Sequence, residues 1–224
     1  TTVFASVVGS QSNTGLNVLA QGDQDTAFRL GHGAYLRLMD ELDNPELRQH
    51  LALAAFLQNR AEDDGRRRFH TNAFAGNYSV STALHIRYPH VGQGESTSVV
   101  HASAMRLAAD VELKPARQVA EALGVWRDGM DGKTAADAVA ETLEIIYTKA
   151  GVPTQLRQLD IPQDDLINIA KETVKNFNFN AGARSADWPG ALTLHRHVRL
   201  SHRLVDVAPV WVHNDHFRSC AMVC

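Results

Sequence analysis

The sequence predicts an all-α, helical bundle-like domain, and three observations carry that prediction. Apolar residues recur at spacings of three, four and seven in successive stretches. Asn-Pro, Asp-Gly, lone Gly and lone Pro fall between those stretches, where helices start and stop. No sustained period-two alternation occurs before residue 185.

Residues 1–22 are small, polar and Gly-containing, and no helix is assigned to them. A helix is expected from about Asp25 to Leu42, with Phe28, Tyr35, Leu38, Met39 and Leu42 on one stripe. Asn44-Pro45 restarts the chain as N-cap and first helical residue. Leu47, Leu51, Ala54, Ala55 and Leu57 then line a second helix, which Gly65 ends. Residues 66–82 are Asn-, Gly- and Ser-rich and read as a loop or broken helix. Lys114-Pro115 opens a helix to Leu123, with Gly124 at its C-cap. Thr134 is the expected cap of a long amphipathic helix that stops at Gly151. Val152 to Leu159 is a connector, and Asp160-Ile161-Pro162 starts a last helix through Leu166, Ile169, Ala170, Val174 and Phe177.

From about Trp188 the chain becomes β-branched and histidine-rich. The expected organisation is therefore a helical domain over residues 1–187 and a C-terminal arm over 188–224, either β-strand or irregular. The only two cysteines, Cys220 and Cys224, lie in that arm and cannot staple a fold, so a cytoplasmic setting is expected. No apolar run approaches a membrane span. A net charge of −3 in 224 residues offers no basic face for nucleic acid.

The stretch that organises the chain is His85 to Arg106, HIRYPHVGQGESTSVVHASAMR. It begins as a loop set with Pro89, Gly92 and Gly94. It continues as a helix whose first turn carries Glu95, Ser96 and Thr97.

Within it, Gln93-Gly94-Glu95, small residues, two valines and Met105-Arg106 resemble the HGE-A-N-A signature of iron-containing alcohol dehydrogenases. Gly15-Leu-Asn-Val-Leu-Ala-Gln21 resembles that family's G-M-D-A-L-x-H. Val119–Gly124, Gly151-Val-Pro-Thr-Gln-Leu-Arg-Gln-Leu159 and Asp164-Asp165-Leu166 are similar to its A-x-A-L-G, G-(Leu/Val)-P-T-x-L-R-x-L and E-D-L pieces. Together the matches cover about residues 14–182. The resemblance implies the helical C-terminal domain of that group, within the dehydroquinate synthase-like superfamily. No G-x-G-x-x-G or βαβ stretch for a dinucleotide is present, so the chain reads as half an enzyme.

The resemblance also implies where a catalytic metal would sit, and there the sequence departs from the pattern. Asn17, Gln21 and Gln93 stand where the family has Asp, His and His. Three neutral amides hold iron(II) or zinc poorly, so a metal is not expected. The remaining ligand position depends on register. Matching Leu84-His85 to the L-H-H-x-x-C-H pattern of maleylacetate reductases retains His85 and His90. Matching Arg87-Tyr88 to the R-Y before the HG pair puts the slot near Tyr78, without a histidine.

The expected function is that of the substrate-side domain of an NAD(P)-dependent alcohol dehydrogenase acting on a small alcohol or aldehyde. His85 and His90 are the candidate acid/base residues, and Asn17, Gln21 and Gln93 line the substrate cleft. NAD(P) would be held by a separate dinucleotide-binding domain or chain, and a homo-oligomer is expected. The alternative is a non-catalytic, stand-alone helical binding or scaffold module. The other helical histidines, His32, His50, His70 and His101, are read as surface or capping residues.

Overall fold

The computed structural model describes residues 1–13, 15–65, 76–107 and 113–176, and among these every regular element is helical. The α-helices are α1 (Thr2–Ser10), α2 (Val18–Leu38), α3 (Pro45–Gly65), α4 (Gly76–Arg87), α5 (Gln93–Leu107), α6 (Leu113–Ala122), α7 (Gly132–Lys149) and α8 (Leu166–Thr173). Two 3₁₀ turns, Leu156–Leu159 and Gln163–Asp165, bridge α7 to α8. The arm expected from residue 188, and with it His70 and Phe177, lies outside the described residues.

Several predicted boundaries move. Residues 2–10 form a helix where none was expected, and Phe4, Val7 and Val8 are fully buried. A nine-residue helix is too short to stand alone, so packing supplies what local propensity does not. Helix α2 begins at Val18 rather than Asp25, because Asn17 caps it by accepting a hydrogen bond from the Ala20 amide (2.9 Å). Val18 and Leu19 point to solvent, which hides the helical period at that end. Asp131 rather than Thr134 caps α7: its carboxylate accepts from the Thr134 amide at 2.7 Å. His85 to Arg87 close α4 instead of opening a loop. The Asn44-Pro45 start and the glycines after α6 and α7 stand as expected, with Gly124 and Gly151 at φ +74° and +69°.

Helices α2 and α3 form a hairpin closed over α1. A Cβ on Gly31 would lie 3.0 Å from Val7 and 3.3 Å from Ala54, so glycine lets three helices meet there. Helix α5 is the spine of the molecule. Residues 96–105 are buried without interruption. Its Ala102 and Met105 enter a core shared with Phe4, Tyr35, Leu143 and Tyr147. Its Val99, Val100 and Ala104 enter a second core with Leu84, Leu159 and Ile169. A helix covered on all sides needs small side chains and satisfied hydroxyls. Ser96 and Thr97 donate to the Gln93 carbonyl, while Ser98 donates to Glu95 and to Pro153 at 2.6 Å.

Candidate functional site

The loop between α4 and α5, residues 88–92, is held from three directions. Arg87 and Tyr88 both bind the Asp165 carboxylate, with Arg87 Nη2 donating at 2.6 Å and the Tyr88 hydroxyl donating beside it. The bonded Arg87 guanidinium holds the Asp165 carboxyl well below the usual carboxylate range. Asn168 donates to the same carboxylate (2.7 Å). His90 Nε2 donates to the Leu159 carbonyl (3.2 Å), and Gly92 N donates to Glu95 Oε2 (2.8 Å). The Gly151–Leu159 and Asp164–Leu166 motifs are therefore the strap that fixes this loop and, through Ser98 and Pro153, the spine helix.

The candidate residues fall into separate local settings. His85 ends α4 and is half-buried, and its Nδ1–H donates to the Ser81 carbonyl (2.9 Å). A carbonyl only accepts, so the neutral ring keeps its lone pair on Nε2. His90 has the opposite pattern, with Nε2 donating and Nδ1 free. Gln93 is exposed at the first residue of α5. Asn17 spends its side-chain oxygen on the α2 cap, and the Gln21 amide donates to Asp25 (2.8 Å). Among the described residues no three His, Cys, Asp or Glu side chains gather as a metal site. Asn17 is committed to the α2 cap, and Gln21 and Gln93 offer neutral amides, which are weak donors to a divalent ion.

Sequence reading missed a cleft of about 450 Å³ between α4 and the end of α8. Ser79, Thr82, Ala83 and Ile86 line one side; Glu172, Lys175 and Asn176 line the other. The Ser79 and Thr82 hydroxyls are buried and make no hydrogen bond, unlike those of Ser96, Thr97 and Ser98 in α5. The signal was present as two hydroxyls three residues apart on a helix, one turn before His85.

Sequence reading also misplaced His101, which is a core residue rather than a surface or cap residue. It is 1% exposed, and its Nδ1 lies 2.7 Å from the Tyr147 hydroxyl. Burial pushes its pKa down to about 3, so the ring is neutral. His32 is partly buried and stacks on Phe28 with centroids 5.1 Å apart.

The family described as Fe-containing alcohol dehydrogenase family, C-terminal, matches residues 27–187. The chain belongs to that family. Its fold is similar to an alcohol dehydrogenase from Oenococcus oeni, with a TM-score of 0.72 at 14% identity over 88% of this chain. It is also similar to a 1,3-propanediol oxidoreductase (TM-score 0.70, 17% identity, 88% of this chain). A third likeness is to an archaeal halo-thermophilic alcohol dehydrogenase from a Red Sea brine pool (TM-score 0.69, 13% identity, 88% of this chain). The chain spans about half the length of these solved structures, 49%, 49% and 48% respectively. No curated protein sequence matches it. The family match leaves out the Gly15–Gln21 landmark, which lies upstream of residue 27.

Proposed function

We propose that this chain is the substrate-side helical domain of an oxidoreductase that exchanges a hydride between a nicotinamide dinucleotide and a small alcohol or aldehyde. The family match over residues 27–187 carries this reading. The dinucleotide would be held by a separate domain or chain, and its nicotinamide ring would take the hydride. This chain's part is the proton. When an alcohol becomes a carbonyl, its hydroxyl proton must pass to a base, and with the ring protons placed by the Ser81 and Leu159 carbonyls, His85 Nε2 and His90 Nδ1 are the nitrogens left to accept it. The reaction needs no metal if the histidine neutralises the developing alkoxide. The α4–α8 cleft, one turn from His85, gives a short alcohol Ala83 and Ile86 to pack against, with the buried, unbonded Ser79 and Thr82 hydroxyls in its wall.

The test is nicotinamide reduction by short-chain alcohols, measured with the full chain alone and with a dinucleotide-binding domain of the same family. The chain alone is expected to be inactive and to bind no dinucleotide. The reconstituted pair is expected to turn over, with His85→Gln or His90→Gln lowering the rate by about 10²-fold or more. Inactivity of the pair under all substrates would leave the second reading, a helical binding or scaffold module. The use of Asn17 as a helix cap favours that reading, since a cap is a structural task.

A further inference from the structure

The loop that carries His90 is fixed by a residue 75 positions away in the chain, and that connection has a chemical consequence. Asp165 is bound by the Arg87 guanidinium and accepts from the Tyr88 hydroxyl. Tyr88 closes α4 by donating its amide to Leu84, and its carbonyl accepts from Val91, so its backbone sets the turn. Its ring stands nearly perpendicular to the His90 ring, at 81° with centroids 5.9 Å apart. On its other side, His90 Nε2 meets the carbonyl of Leu159, which is buried at 6% exposure in the second core.

We propose that Asp165 is a positioning residue for His90: through Tyr88 it holds the ring edge-on, with Nε2–H on the Leu159 carbonyl and Nδ1 as the open nitrogen. A free imidazole exchanges between its two neutral tautomers, whereas an anchored one shows a single lone pair in a single direction. His85 differs because its anchor is the Ser81 carbonyl one turn back on its own helix, which owes nothing to Asp165. The two histidines therefore present opposite ring nitrogens, and only one of them depends on the strap. That His90 handles a proton rests on the functional reading above; that Asp165 positions it does not.

The experiment is nitrogen-15 NMR of the histidine rings in the full chain at pH 8, with signals assigned by His85→Gln and His90→Gln. In the parent, His90 is expected to show a protonated Nε2 and an unprotonated Nδ1, and His85 the reverse. In Asp165→Asn the two His90 nitrogen shifts should move toward each other. Its ring protons should also lose the shift imposed by the Tyr88 ring. Tyr88→Phe, which removes one hydroxyl and leaves Arg87 on Asp165, should move His90 the same way by less. His85 should stay put in both. Unchanged His90 signals in both variants, or His85 moving as far as His90, would overturn the proposal. If Asp165→Asn does not fold, Tyr88→Phe decides alone. A pair that never reduces nicotinamide would remove the functional reading and leave the ring signals standing.

Discussion

His101 illustrates how one side chain can make the whole fold sensitive to pH. Its ring is desolvated and hydrogen-bonded to Tyr147 in the first core, and its folded pKa of about 3 lies below the ordinary 6.5. The neutral ring is favoured in the fold, so acidification protonates the unfolded chain first. Stability is then complete above about pH 6.5 and falls as the pH drops toward 3. The slope approaches about 1.4 kcal/mol per pH unit. His32, lowered by the same burial, adds a smaller effect of the same sign. Between pH 6.5 and 5 the carboxylates with lowered pKa, such as Asp23 and Asp131, are still ionised in the unfolded chain and add little. Urea unfolding at pH 7.5 and 5.5 is expected to show a loss of about 1 kcal/mol in the parent. His101→Gln should show a smaller loss. An equal loss in both would mean the ring is not desolvated.

Among the elements, the meeting of α1, α2 and α3 at Gly31 makes the strongest prediction. Alanine in a helix interior is favoured over glycine by up to about 1 kcal/mol. Here its methyl would press on the Val7 and Ala54 side chains at 3.0 and 3.3 Å. Overpacking costs about 1–3 kcal/mol and should win, because the neighbours belong to two other helices that cannot both withdraw. Gly31→Ala is expected to lower the melting temperature by a few degrees, and Gly33→Ala, open to space, to leave or raise it. A thermal melt of the two variants checks both signs. The same scale explains the motifs: the run of serines, alanines and valines in α5 answers to burial on every side.

Across the whole molecule, the question is whether the start of α2 and the start of α5 meet over one site, as the family resemblance implies. Asn17 and Gln21 lie at the beginning of α2, Gln93 at that of α5, and α1 packs against both helices. Asn17→Asp, Gln21→His and Gln93→His together should restore three ligands to one place. Aspartate caps a helix as well as asparagine does, so the fold should survive. A metal at a hundredfold excess over its dissociation constant stabilises the native state by about 2.7 kcal/mol. That corresponds to several degrees of melting temperature. The triple variant should gain this with zinc, and the single variants much less, once His195, His197, His213 and His216 of the C-terminal arm, whose close spacing in the sequence makes them adventitious zinc ligands, are replaced in all of them. A triple variant that ignores zinc while remaining folded would show that these positions do not converge.

The sequence by itself determined the helical class, the Asn44-Pro45 and glycine boundaries and the family. These are local facts of period, capping chemistry and residue identity. It did not determine α1, the early start of α2, the burial of His101 or the cleft beside Ser79. Each of those depends on what lies across from a residue rather than beside it. Helix α1 is too short to reveal itself except against α2 and α3. A histidine in a run of small residues has no surface or core character until Tyr147 is opposite. The contact of Asp165 with Arg87 and Tyr88 exists only once a strap 77–78 residues downstream has folded back onto them, because burial and hydrogen-bond pairing are properties of the packed chain.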